Sequence, residues 1–122
     1  MNAESRKSIE RQVDLIAAQR IFAEVHPAFL EEAPLIAEIP KFVQAARIVV
    51  VPFFMSDGLH VGEDIPVLLG ENAEVVEERL KAGEWPWKNP TERGGKTIFY
   101  TRGVGSEKGI AEVILERVEA VV

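Results

Sequence analysis

The chain has 122 residues, the size of one ordinary domain, with 47% hydrophobic and 28% charged residues, a mixture typical of globular proteins. No apolar run approaches the roughly 18 residues needed to cross a bilayer, so we expect a soluble protein without a membrane partner. The net charge of −6 argues against nucleic-acid binding, which depends on Lys and Arg neutralising phosphates. No export signal is visible, and we expect a cytoplasmic protein that forms one domain over residues 1–122.

The chain contains no cysteine and only two histidines. The lack of cysteine excludes disulfides, thiolate metal sites and cysteine-held iron–sulfur clusters. Any metal ion must therefore be held by His, Asp or Glu side chains.

Hydrophobic periodicity predicts helices that alternate with strands. Residues 5–20 carry apolar side chains at helical spacing, whereas residues 47–54 are almost wholly apolar and β-branched, as in a strand covered on both faces. The predicted elements are a helix at 5–20, a strand at 20–25, a proline-interrupted helical segment at 29–46, a strand at 47–54, a helix from 64 to about 83, an irregular loop at 83–95, a strand at 96–101 and a helix after 109. This order indicates an α/β fold with a small parallel sheet of three visible strands.

Both histidines fall just after predicted strands, in the loops that follow Val25 and Phe54. The carboxyl ends of parallel strands share one edge, where ligands bind. Glycines and carboxylates surround His60, so it is a candidate metal ligand or base. A loop histidine that hydrogen-bonds to its neighbours explains the same pattern. For His26, the alternative is a strand-end residue that needs no function.

Four basic residues fall between residues 88 and 102, namely Lys88, Arg93, Lys96 and Arg102. They indicate either a local positive patch that binds an acidic ligand or a solvated loop. Trp85 and Trp87 flank Pro86 in the same segment. Their rings either stack on a flat ligand or pack the long loop onto the core.

The glycine-rich segment 103–109 precedes the last predicted helix. It lacks the Lys-Ser/Thr pair of a Walker A loop, and its glycine spacing departs from the dinucleotide fingerprint. We therefore expect no nucleotide cofactor.

The central segment from Val49 to Pro66 reads VVVPFFMSDGLHVGEDIP. It resembles the CbiX-type, class II sirohydrochlorin chelatases, in which an apolar strand is followed by Pro-x-Phe, a turn with Gly, then His-Val and Asp-Ile-Pro. Weaker agreement extends through Ala28–Pro34 and Tyr100–Gly105. The resemblance implies a chelatase-like, three-layer α/β/α fold.

The resemblance also implies an activity, the insertion of Co²⁺ or Fe²⁺ into the tetrapyrrole sirohydrochlorin without ATP, with the metal ion as a substrate. His60 matches a metal-site histidine of the family, and Glu31 matches an acidic residue that lies near the metal. Such insertion needs ligands for a divalent metal and a base for two pyrrole protons. Arg93, Lys96 and Arg102 are candidates for binding the carboxylates of the macrocycle.

The family's first strand, which carries a Gly-His-Gly-Ser/Thr motif and a further metal-site histidine, has no counterpart in this sequence. Three explanations stay open: a piece cut from a longer protein, a start codon assigned too late, or a natural short form that completes its sheet with a partner chain. Each predicts an open strand edge, and we expect a homodimer. His26 is a candidate replacement ligand. A noncatalytic tetrapyrrole- or metal-binding module, or a fragment of a longer chelatase, is the alternative to an active enzyme.

Overall fold

A computed structural model describes residues 3–53, 61–103 and 110–122 of the chain. Its helices are α1 (Ala3–Ala18), a 3₁₀ turn (Ile36–Glu38), α2 (Ile39–Phe42), α3 (Val61–Leu68), α4 (Ala73–Lys81) and α5 (Ile110–Val121). Its strands are β1 (Arg47–Val50), β2 (Thr91–Arg93) and β3 (Lys96–Tyr100). Helices around a small sheet confirm the predicted α/β class. Within the described ranges, no helix is both long and apolar enough to span a bilayer.

The sheet has the order β1-β3-β2. β1 and β3 are parallel, with Val50 opposite Tyr100, which confirms the predicted pairing direction of the two apolar strands. β2 pairs antiparallel with β3, so the described sheet is mixed. The prediction missed β2 inside the irregular loop at 83–95. Its two-residue turn consists of Gly94 and Gly95, both with positive φ, a conformation that favours glycine in tight hairpins.

The strand predicted at residues 20–25 is wrong. This segment is irregular, and the side chain of Ile21 is 60% exposed. Instead of pairing as a strand, the segment is held by the Glu24 carboxylate, which accepts hydrogen bonds from the backbone N–H groups of Gln44 and Ala45. An apolar run of this length fits a strand, but a strand is stable only where a neighbouring strand accepts its backbone hydrogen bonds.

The helix predicted from 64 to about 83 is two helices. Gly70 adopts φ +109° between α3 and α4, a conformation that L side chains rarely adopt, and it ends the first helix. Asn72 then caps α4 because its side-chain oxygen accepts the backbone N–H groups of Glu74 and Val75. Both residues are ordinary helix boundary signals that the hydrophobic pattern concealed.

The main core lies on one face of the sheet, between β1, β3 and the 3₁₀–α2–α3 layer. Its central side chains are Ile98 and Tyr100 from β3 with Trp87 from the loop before β2. α1 and α5 contact each other and, together with β1, border a cavity. β1 therefore lies between the packed core on one side and this apolar cavity on the other.

Candidate functional site

The carboxyl ends of β1 and β3 meet at one edge of the sheet. The backbone N–H of Thr101 donates to the carbonyl of Val50 at 3.0 Å, which extends the parallel ladder by one residue beyond β3. The chain then continues from β1 toward residues 54–60 and from β3 toward residues 104–109, both outside the described ranges. The predicted metal-site residue His60 lies in the first of these segments, so its role stays a prediction.

A cavity of about 930 Å³ borders this edge. Its walls are mostly apolar and come from α1, α5, β1 and the segment 22–32. Glu31 lines it, as do Pro52 and Phe53, which continue from β1. The volume falls within the range of pockets that enclose small organic ligands. The structure therefore brings Glu31 to the same cavity as the residues that lead toward His60.

The loop that carries Glu31 is fastened to α1 by Arg6. The Arg6 guanidinium lies 4.5 Å from the centre of the Phe29 ring. It also donates to the carboxylate of Glu32 at 2.9 Å and to the carbonyl of Ala33 at 3.1 Å. A guanidinium suits this task because it is planar, permanently charged and has several donors. The loop is thus held on both sides of Glu31 while the Glu31 side chain stays exposed.

His26 also lines the cavity, but its contacts lie near the amino end of β1. Its Nε2 is 3.0 Å from the Glu24 carboxylate, and its ring meets the edge of Phe42 in α2. Hydrogen bonds from His26 and from the N–H groups of Gln44 and Ala45 lower the pKa of Glu24. Since residues 44 and 45 precede β1, the predicted place of His26 at the carboxyl edge is not supported. These contacts favour its structural interpretation.

On the other side of the edge, Trp85 lies at the carboxyl end of β3. Its ring stacks on Tyr100 with centroids 5.4 Å apart and planes 23° apart. The indole N–H donates to the carbonyl of Tyr100 at 3.0 Å. The Arg102 guanidinium is 5.9 Å from the centre of the Trp85 ring. Both side chains are exposed, so an indole and a cation face solvent together at this edge.

Trp87 has no such exposure. It is 2% exposed, and its indole N–H donates to the carbonyl of Ile98 at 3.0 Å. Its predicted role in stacking on a ligand is therefore wrong, because the ring is enclosed in the core. The alternative interpretation, a ring that packs the long loop onto the sheet, is correct for this residue.

Arg93 and Lys96 lie at the opposite end of the sheet from Arg102. They face each other across the β2–β3 turn, and β3 is five residues long, or roughly 16 Å. Lys96 donates to the carbonyl of Gln44 at 2.9 Å. Arg93 donates to the carbonyl of Gly70 and pairs with the Glu71 carboxylate. The expected positive patch is thus divided, and the placement of these two cations does not support carboxylate binding at the carboxyl edge.

Glu71 is the centre of a charge cluster near the amino end of β3. It pairs with Arg79 at 3.0 Å and with Arg93 at 3.4 Å, and its side chain is 10% exposed. Burial raises the pKa of Glu71, but the backbone N–H of Asn72 and the two arginines outweigh burial and lower it overall. This cluster fixes the α3–α4 connection to the β2–β3 turn.

Sequence reasoning did not identify Arg6 or Glu24 as residues that position the loop and the segment around the site. The partners through which they hold these segments are 20 or more residues away in the chain, so no local pattern indicates these contacts. Within the described ranges, no group of three metal-binding side chains stands close enough to hold a metal ion.

Comparisons with known proteins find relatives of this chain. The chain is 36% identical over 116 residues to a probable sirohydrochlorin cobaltochelatase of Halobacterium salinarum, covering 95% of this chain and 37% of that protein. It is 26% identical over 123 residues to a sirohydrochlorin cobaltochelatase of Methanopyrus kandleri, covering 94% of this chain and 85% of that protein. The chain thus spans little more than a third of the first relative and most of the second. Among solved structures, none is significantly similar to it.

The model of the CbiX family matches residues 2–121, which is almost the whole chain. This match includes the central segment from Val49 to Pro66, whose motif carries the resemblance. It also includes Glu31 and Arg102. The chain therefore belongs to the CbiX family.

Proposed function

We propose that this chain inserts a divalent metal ion into sirohydrochlorin, with Co²⁺ as the first candidate and Fe²⁺ as the second. One observation carries the proposal. Glu31, on a loop fastened by Arg6, lines the same cavity as Pro52 and Phe53, which lead into the segment that bears His60. Family membership and two cobaltochelatase relatives support the reaction type.

The chemistry requires few protein groups. A divalent metal ion replaces two pyrrole protons, so the macrocycle gains the metal and releases two protons. Neutral imidazole and carboxylate suit a borderline metal such as Co²⁺ and leave positions open for the pyrrole nitrogens. Both side-chain types also serve as general bases in enzymes. We assign metal binding and proton acceptance to His60, with Glu31 as the assisting carboxylate and Arg102 as a partner for the acidic rim of the macrocycle.

His26 is the less favoured ligand in this proposal. Its Nε2 faces the Glu24 carboxylate, which leaves only Nδ1 for a metal. Metal-binding histidines often donate the N–H of their other ring nitrogen to a carboxylate. His26 contacts Phe42 in α2 and Glu24, and Glu24 in turn binds the backbone just before β1, which makes His26 the weaker candidate.

The test is a metal-insertion assay that follows the absorbance of sirohydrochlorin with Co²⁺ or Fe²⁺ above the nonenzymatic rate. Loss of a general base or ligand typically costs on the order of 100-fold or more in rate. We expect this loss for His60→Ala, a smaller loss for Glu31→Gln, and a much smaller loss for His26→Ala. Glu84→Gln, at an exposed carboxylate outside the cavity, is the matched control for Glu31→Gln.

The outcomes separate the alternatives. Insertion at the wild-type rate in His60→Ala removes His60 from the mechanism. Wild-type protein that binds the macrocycle but gives no insertion above the background rate favours the noncatalytic binding module. Faster insertion of Fe²⁺ than of Co²⁺ reverses the order of the two metals.

We also propose that the chain forms a homodimer through the free edge of β1. In the described part of the sheet, β1 pairs with β3 alone, and its other edge borders the apolar cavity. Such an edge is a template for pairing with another chain. Sedimentation should give a dimer for the wild type, and Val49→Lys should shift it toward monomer because an edge charge opposes pairing. A wild-type monomer at all concentrations contradicts this proposal.

A further inference from the structure

The loop around Glu31 is closed at its base by backbone hydrogen bonds. The N–H of Phe29 donates to the carbonyl of Pro34 at 2.8 Å, and the N–H of Ile36 donates to the carbonyl of Phe29 at 2.9 Å. The side chains of Phe29 and Ile36 are buried. The base of the loop is therefore fixed to the core, whereas Glu31 lies between these points and is exposed.

Two neighbouring carboxylates of this loop, Glu31 and Glu32, line the cavity. The Arg6 guanidinium donates to the Glu32 carboxylate at 2.9 Å, and an oxygen that accepts a guanidinium has less capacity left for a metal ion or a proton. The Glu31 side chain, by contrast, is exposed. Arg6 therefore engages one of the two carboxylates and leaves its neighbour as the candidate for chemistry.

Arg6 contacts the loop on both sides of Glu31. In addition to the ion pair, it donates to the carbonyl of Ala33 at 3.1 Å, and its guanidinium lies 4.5 Å from the centre of the Phe29 ring. On α1 itself, the Glu10 carboxylate lies 3.7 Å from Nε of Arg6, one helical turn away, and helps to orient the side chain. Since Phe29 precedes Glu31 and Ala33 follows it, these contacts restrict the backbone that carries the Glu31 side chain.

We propose that Arg6 is a positioning residue, which holds the Glu31 carboxylate at the cavity wall and thereby sets the rate of metal insertion. Arg6 is not among the described residues that border the cavity, so its effect on a ligand there must pass through the loop. Misplacement of a reacting group by about 1 Å can lower a rate by about 100-fold. This inference rests on the proposed function and extends it from Glu31 to the residue that holds it.

The experiment measures kcat and KM for the insertion of Co²⁺ into sirohydrochlorin by single and double variants. Arg6→Ala should lower kcat by roughly 5- to 20-fold, but by no more than Glu31→Gln does, because Glu31 is no longer held in place. The KM for sirohydrochlorin should stay within about 2-fold of the wild type. In the Glu31→Gln background, Arg6→Ala should change kcat by less than about 2-fold, because the group through which Arg6 acts is already lost.

Arg6→Lys decides the question if Arg6→Ala does not fold. The ammonium keeps a charge for Glu32 but lacks the planar group that makes the other contacts, so kcat should fall by roughly 2- to 5-fold. This loss should also disappear in the Glu31→Gln background. Arg11→Ala removes an exposed guanidinium from the same helix. It is the matched control and should keep kcat within about 2-fold of the wild type. Thermal unfolding of each variant shows that rates are compared on folded protein.

The results distinguish failure of this inference from failure of the proposed function. If wild-type protein inserts metal and both Arg6 variants keep its kcat, the inference is wrong and the proposed function stands. If Arg6→Ala lowers kcat equally with and without Glu31→Gln, Arg6 stabilises the fold and does not act through Glu31. If Glu31→Gln keeps the wild-type kcat while His60→Ala loses it, Glu31 leaves the mechanism and this inference falls alone with it. If wild-type protein gives no insertion above the background rate, both proposals fall.

Discussion

The two ends of β3 use the same residue types in different ways. At the amino end, Arg93 and Lys96 donate to backbone carbonyls, and Arg93 also pairs with Glu71. At the carboxyl end, Arg102 is exposed beside the half-exposed ring of Trp85. A cation that already donates to carbonyls or carboxylates of the protein has fewer donors left for a ligand. The sign of a charge therefore does not identify a binding site until its partners are known.

Trp85 and Trp87 are 38% and 2% exposed, so substitutions at these two positions should differ most in their effect on stability. Trp87→Ala should lower the free energy of unfolding by about 3–5 kcal/mol, since it opens a cavity in the core and removes the donor to Ile98. Trp85→Ala should cost about 1–2 kcal/mol, because it removes one stacked aromatic contact and the hydrogen bond to the carbonyl of Tyr100. Urea denaturation followed by circular dichroism measures both. Equal losses for the two variants would contradict the division between a core ring and a surface ring.

Substitution of Glu71 should cause the next largest loss of stability. Glu71→Gln should lower the free energy of unfolding at pH 7 by about 1–3 kcal/mol, because Arg79 and Arg93 lose a charged acceptor. Glu84→Gln, at an exposed carboxylate, should change it by less than about 0.5 kcal/mol. The same denaturation experiment compares the two variants. Equal values for them would show that the cluster contributes nothing beyond surface charge.

The pH dependence of this effect follows from the lowered pKa of Glu71. A carboxyl group with a lowered pKa in the folded state stabilises the protein above its unfolded pKa, and this stabilisation is lost as pH falls through the folded pKa. The difference between wild type and Glu71→Gln should therefore narrow below about pH 4.5. Glu24, whose pKa is also lowered, leaves some acid sensitivity in the variant. A difference that widens in acid would contradict the assignment.

Parts of the fold were predictable because their signals are local. The helix at α1 follows from apolar spacing, and β1 follows from a run of β-branched residues. The motif from Val49 to Pro66 indicated the family, and the family model confirms it. The hairpin of β2 and β3 carried a local signal too, the adjacent Gly94 and Gly95, which the irregular surroundings concealed. The functional role of His60 stays a prediction from this motif.

The remaining errors arose from interactions between distant segments. Residues 20–25 have the composition of a strand, but strand formation depends on a neighbouring strand that local sequence cannot supply. His26 follows that segment, so its expected position at the carboxyl edge depended on the same error. Arg93, Lys96 and Arg102 looked like one group, because the sequence does not show that Arg102 lies at the opposite end of β3 from the other two.

The sequence alone determined the α/β class, the two apolar strands, the lack of cysteine ligands and the CbiX motif around His60. These properties depend on residue type and on spacing along the chain. Only the tertiary structure decided that Trp87 belongs to the core and Trp85 to the surface. It also decided that Arg93 pairs with Glu71 and that Arg6 holds the loop of Glu31. The physical reason is that burial and ion pairing are set by which distant segments pack together.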